Sequence, residues 1–323
     1  MSDSAFLEVK NLTVEYTSDR QTIHAVNDTS FTLKKGETLG LVGETGAGKT
    51  TIAKSILRIL PDRGAKIKSG SIIFEGTDLL KLSEEKMRKI RGNEIAMIFQ
   101  DPMTALNPTM TVGYQIREAI LLHNKCSKKE GRERAVKMLE TVGIPGDRYD
   151  DYPHQFSGGM KQRVVIAMAL ACNPVLLLSD EPTTALDVTI QAQVLDMMAD
   201  LKKELNTSMI MITHDLGIVA EVCDNVAVCY AGEIVEYGSA EEIFDNPSHP
   251  YTVGLFNSLP DMSGARERLE PIKGMMPDPT DLPVGCSFSE RCPYATDACR
   301  ESKPQLDEIG GTHRVRCFRK ESE

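Results

Sequence analysis

No run in the 323-residue sequence is apolar for long enough to cross a membrane as a helix. The longest candidate, Val164 to Cys172, falls well short of the roughly 18 residues needed and reads as core. A surplus of positive charge is also missing. Lys plus Arg number 37 against 47 Asp plus Glu, a formal charge of −10. An acidic chain gains nothing from counterion release on a polyanion, so no nucleic acid is expected as a partner. The N-terminus, Met1-Ser2-Asp3-Ser4, lacks the basic and apolar regions of a signal peptide, and no internal repeat is found. A cytoplasmic chain is expected, with eight cysteines that start as thiols or metal ligands rather than disulfides. What is present is ordinary for a globular protein: 41% hydrophobic and 26% charged residues, in a length that suits one large domain or a core with an appendage.

Residues 6–16 alternate apolar and polar, as a half-buried strand does. A second strand-like run ends at Leu33. Thr38 to Val42 is an apolar run leading into a glycine-rich loop and a helix, Thr50 to Leu60, which Pro61 stops. Further strands are expected at Ser71–Glu75, Ile95–Phe99, Val175–Ser179, Met209–Thr213 and Val226–Tyr230. Between about 101 and 172 the period becomes helical, notably from Glu130 to Val142, and Ile190–Leu205 is another helix. This alternation predicts an α/β fold, a mainly parallel sheet with a helical block inserted in it. From Pro247 to Pro283 prolines recur, and a tail with little regular structure is expected.

Gly43-Glu44-Thr45-Gly46-Ala47-Gly48-Lys49-Thr50 fits the pattern GxxxxGK[ST] between a strand and a helix. There the loop's backbone N–H groups and the helix N-terminus converge on phosphate oxygens. Lys49 reaches the β- and γ-phosphates and Thr50 offers its hydroxyl to magnesium. Val175 to Glu181 is an apolar strand ending in two carboxylates. Asp180 is placed to hold magnesium and Glu181 to polarise an attacking water. Between the two lies Phe156 to Arg163, in which Ser157 is a good N-cap and Gly158 and Gly159 expose backbone N–H groups, a second anion site.

In this order, these motifs resemble the nucleotide-binding subunit of an ABC transporter over about residues 6 to 245. The resemblance implies a P-loop ATPase core over 1–100 and 164–245, with an antiparallel β subdomain, and a helical subdomain over 101–163. It implies that residues 43 to 51, ending with Thr51, hold ATP. Gln100 looks like the glutamine that touches magnesium and the water. Ser157-Gly158-Gly159 looks like the signature that caps the γ-phosphate bound by the opposite subunit. Ala185-Leu186-Asp187 resembles the D-loop, and His214 the switch histidine. Tyr16 is the candidate for stacking on adenine; a strand-end core tyrosine is the other reading. Glu181, His214, Lys49 and Gln100 are the implied catalytic set. The fifth signature residue, most often glutamine in the family, is Met160, which cannot make glutamine's hydrogen bonds.

Four of the cysteines, Cys286, Cys292, Cys299 and Cys317, crowd the end of the chain. Their gaps of five, six and seventeen residues are not the paired spacing of zinc ribbons. Four thiolates and a following proline suit an iron–sulfur cluster, with zinc or free thiols as the alternatives and His313 as a conceivable extra ligand. Residues 246–323 look like the C-terminal extension of oligopeptide and dipeptide importer ATPases. That implies a 4Fe–4S cluster on the four cysteines, and nucleotide binding by the core is expected not to depend on that cluster. The implied partners are two permease subunits, a second and different ABC ATPase, and an extracytoplasmic peptide-binding protein, with this chain peripheral on the cytoplasmic face of the inner membrane. A nickel or other small-solute importer shares the branch, though those ATPases are usually shorter and lack the tail. A soluble ABC ATPase acting on ribosomes or DNA is disfavoured, because only a small helical block fits between Gln100 and Ser157.

Overall fold

A computed structural model describes residues 5–18, 21–183, 187–258 and 271–319. The chain divides into two compact units, one of residues 1–33, 39–80 and 214–323, the other of 34–38 and 81–213.

In the first unit an antiparallel sheet runs in the order Gln21–Leu33, Leu7–Ser18, Ala65–Phe74, Thr77–Asp78. The alternation read in the sequence buries Leu7 and Val9, then resumes one residue late at Leu12 and Val14. The slip is a bulge at Asn11, whose φ of 47° is a left-handed conformation that asparagine tolerates. The strand Thr38–Val42 lies parallel to Asn225–Tyr230 and is wholly buried. A two-residue turn at Ala231-Gly232, with φ of 47° and 80°, reverses the chain into Glu233–Ser239.

The tail is more regular than its prolines suggest. His313–Val315 pairs with Glu236 and Tyr237 of that last strand, and Asp307–Gly310 adds an outer strand. Helix Pro250–Asn257 starts with proline at a position where no N–H is needed. Its Tyr251 is fully buried and packs against Tyr230 and Phe288, with ring centroids 4.6 Å and 5.5 Å away. Glu236, also fully buried, accepts the N–H groups of Ser248 and His249 and faces His313 Nε2 at 2.7 Å. The tail is therefore built into the unit through partners that lie far away in sequence.

The second unit holds three parallel strands, Ile95–Ile98, Leu176–Asp180 and Ser208–Ile212, the last two buried at every position. Continuous apolar runs of this kind are what a strand covered on both faces needs. Its helices Val112–His123, Lys128–Thr141 and Gly158–Leu170 begin at Thr111, Ser127 and Ser157, whose hydroxyls accept an N–H of the first turn.

Candidate nucleotide site

The glycine-rich loop sits in the first unit. Gly43, Gly46 and Gly48 have φ of 141°, 89° and 92°. A Cβ on Gly43 would lie 2.1 Å from the Cys229 carbonyl oxygen, and one on Gly48 2.4 Å from that of Ala25. The loop thus lies directly on two neighbouring backbones, and only glycine fits there. Lys49 is buried, and its ammonium donates to the carbonyls of Gly43 at 2.7 Å and Glu44 at 2.9 Å. Helix Lys49–Leu57 has Gly48 as N-cap, which makes no side-chain cap hydrogen bond, and its N-terminus begins where the loop ends. The helix ends earlier than Pro61 implies. Arg58 turns left-handed, and its N–H closes on Lys54 and Ser55 carbonyls. Tyr16 is half-buried, with its hydroxyl 3.3 Å from Thr51 Oγ1. His214 is exposed just before Asp215, which caps the helix Leu216–Val222.

The acidic pair sits in the second unit. Asp180 is buried at the end of its strand. Glu181 leaves it with φ of 48°, uncommon for a residue with a side chain, while its N–H donates to the Ile212 carbonyl. Gln100 Nε2 donates to Glu181 Oε2 at 2.9 Å, so these two residues, 81 positions apart, meet directly. A non-glycine residue held in this conformation beside a polar partner is the kind of local strain that collects at functional positions.

Ser157, Gly158 and Gly159 border a cavity of 640 Å³, together with Met160, Arg163 and Asp187. A Cβ on Gly158 would meet nothing, whereas one on Gly159 would lie 2.6 Å from Ile190 Cγ2. One glycine keeps the backbone open and the other lets two helices approach. Met160 has a partner of its own, because Arg148 Nη1 lies 3.9 Å from its sulfur. Arg163, a cation on this cavity, went unnoticed in the sequence. Its position four residues after Gly159, about one helical turn along, was the available signal. Ala185 and Leu186 lie outside the described residues, and Asp187 caps the helix Val188–Leu205.

Cys286, Cys292, Cys299 and Cys317 line one cavity of 330 Å³ with His249, Phe288 and Tyr294. Burial pushes the thiols of Cys292 and Cys317 up, and that of Cys286 to about 11. Among the described residues no three His, Cys, Asp or Glu side chains come close enough to hold a single metal ion. His313 is engaged by Glu236. His249 faces the cysteines instead, its pKa brought down to about 4 by burial. The tail also reaches the phosphate loop: Arg291 forms an ion pair with Glu44. Sequence reasoning had separated these two segments.

The family description "ABC transporter" matches residues 26–184, and "Oligopeptide/dipeptide transporter, C-terminal region" matches residues 235–299. A probable peptide ABC transporter ATP-binding protein of Sinorhizobium fredii is 52% identical over 97% of this chain and 94% of its own length. The oligopeptide transport ATP-binding protein OppD of Bacillus subtilis is 52% identical over 97% and 88%. Among solved structures, a dimeric post-hydrolysis state of the ATP-binding cassette MJ0796 bound to ADP and Pi superposes with a TM-score of 0.65 at 26% identity, over 72% of this chain and 98% of that one. A cassette of the cbiONQ transporter of Clostridium perfringens gives 0.64 at 31%, over 75% and 91%.

Proposed function

This chain belongs to the ABC transporter ATP-binding subunits whose C-terminal region is of the oligopeptide/dipeptide type, and on that premise we propose how its residues share the work of peptide uptake. The chain is the ATP-hydrolysing subunit of an importer for di- and oligopeptides. The arrangement of Lys49 carries the residue assignments. Its ammonium is curled over the loop that ends in an uncapped helix start.

Lys49 and the N–H groups of residues 46 to 51 take the β- and γ-phosphates of ATP, and Tyr16 stacks on adenine. Glu181 accepts the proton of the attacking water, with Gln100 orienting both. His214 places its imidazole against the γ-phosphate as charge develops there. Thr50, Asp180 and Gln100 offer only oxygen donors for a cation, the set that magnesium prefers, and a bound magnesium neutralises phosphate charge. Ser157, Gly158 and Gly159 present their N–H groups to ATP on a second ATPase subunit. One loop and one signature per chain require that second subunit. Two permeases and a peptide-binding protein complete the assembly, with this chain peripheral on the cytoplasmic face of the membrane; among the described residues no helix is long and apolar enough to span it.

The four tail cysteines line one cavity, and we infer that they hold a 4Fe–4S cluster, one thiolate at each corner, with a single zinc as the alternative. Protein purified without oxygen is expected to be brown and to carry roughly four iron atoms per chain; one zinc per chain would replace this assignment.

The functional reading is tested in vesicles that hold the permeases, both ATPases and the binding protein. ATP-dependent accumulation of a labelled dipeptide or oligopeptide is expected. Accumulation of nickel without peptide would overturn it.

A further inference from the structure

The clearest feature outside the motifs is the grip of the tail on Glu44. The Arg291 guanidinium meets the Glu44 carboxylate as a two-pronged pair, Nη1 to Oε2 at 3.0 Å and Nη2 to Oε1 at 3.1 Å. The Arg291 side chain is only 6% exposed. It is held in place by the carbonyl of Lys273 on Nε, the hydroxyl of Tyr230 on Nη1, and the ring of Phe288. Tyr251, from the same tail, accepts the Glu44 backbone N–H at 2.9 Å. The remaining polar group of Glu44, its carbonyl, accepts the ammonium of Lys49. Thus the tail fixes the carboxylate and N–H of the residue whose carbonyl positions the phosphate-binding lysine. Met276, also from the tail, reaches the loop two residues on: a Cβ on Gly46 would lie 3.2 Å from its terminal methyl.

We propose that Arg291 is a positioning residue for nucleotide binding, acting through Glu44. It holds the phosphate loop in its anion-binding form and neutralises a carboxylate that would otherwise face the phosphates unpaired. A two-pronged Arg–carboxylate pair whose arginine is buried fixes orientation as well as charge, which a flexible surface pair does not. Arg291 and Cys292 both close a turn on the Phe288 carbonyl, so the residue that grips the loop is adjacent to one that lines the cysteine cavity. The tail thereby takes part in nucleotide affinity.

This rests on the assignment of residues 43–51 as the ATP loop, and the experiment separates the two. Equilibrium binding of a fluorescent ATP analogue, competed with ATP, is measured on the full chain for four proteins: wild type, Arg291→Met, Glu44→Gln and the double variant. Arg291→Met is expected to weaken binding about tenfold. Glu44→Gln removes the uncompensated charge, so the double variant is expected within about threefold of Glu44→Gln alone. Arg291→Lys keeps the charge without the fork and is expected to fall between wild type and Arg291→Met. Melting temperature reports on folding for each. Binding of Arg291→Met within about twofold of wild type would overturn the proposal. So would an equal loss from Arg291→Met in both backgrounds, which would mean that the arginine supports the tail and not the loop. If wild type itself fails to bind ATP, the loop assignment falls instead.

Discussion

The phosphate loop and the cysteine tail share one unit, yet their geometry arises in opposite ways. The loop is made by eight consecutive residues, with glycines whose missing Cβ atoms let it lie on the Cys229 and Ala25 carbonyls. The tail is made by partners far apart in sequence: Tyr237 with Arg314, Ser287 with Glu233, Arg291 with Glu44 over 247 positions. A local motif carries its chemistry within its own spacing. A region assembled by distant contacts does not, and its contribution shows only when the chain is folded. The two meet at Glu44, where the local design accepts support from the distant one.

The largest effect should come from Glu181→Gln, within the local machinery. Turnover is expected to fall roughly 10²- to 10⁴-fold while ATP still binds, because glutamine keeps the shape and loses the proton acceptor. Steady-state phosphate release beside equilibrium binding checks this, and near-normal turnover would exclude Glu181 as the base. Next come the glycines. Gly43→Ala places a methyl against the Cys229 carbonyl at a φ that disfavours side chains, at a cost of about 2–3 kcal/mol of stability and with weakened ATP binding. Gly158→Ala meets no atom within 4 Å, so its stability should change by less than about 0.5 kcal/mol. Equal losses from the two would erase the distinction between a glycine required by packing and one that keeps backbone open.

The smallest effect lies at the tail's edge. Burial would raise the pKa of Glu242, but hydrogen bonds from Thr312 and Ser239 bring it down to about 2. A carboxylate with a depressed folded pKa contributes stability that is present above its ordinary value of 4.5 and is lost as pH falls towards 2. Protection factors of the amides at residues 307–315, taken against the intrinsic exchange rate at each pH, are therefore expected to fall over that window, and the fall should be absent in Glu242→Gln.

The sequence made the strands legible because buried parallel strands are continuous apolar runs, as Leu176–Asp180 is. It made the nucleotide motifs legible because phosphate binding needs glycine, lysine and hydroxyl at fixed spacing. The contact of Gln100 with Glu181 lay within reach through the family resemblance alone. The helix end at Arg58 was hidden, since a left-handed arginine has no compositional signature. So was the strand His313–Val315, three residues long and stabilised by its place beside Glu236 and Tyr237 rather than by its own propensity. In the sequence Arg291 stands between a glutamate and a cysteine, and nothing there marks its partner. Only folding shows that its partner is in the phosphate loop.

On the Arg291–Glu44 pairing, loop and tail act as one nucleotide-responsive unit. Hydrogen–deuterium exchange of the full chain, with and without saturating ATP, tests it most directly. By linkage, a tail that steadies the loop for ATP must itself be steadied when ATP binds. Slowed exchange is expected at residues 43–51 together with the turn Phe288–Cys292 and the helix Pro250–Asn257. Protection confined to the loop, with the tail exchanging at an unchanged rate, would contradict it.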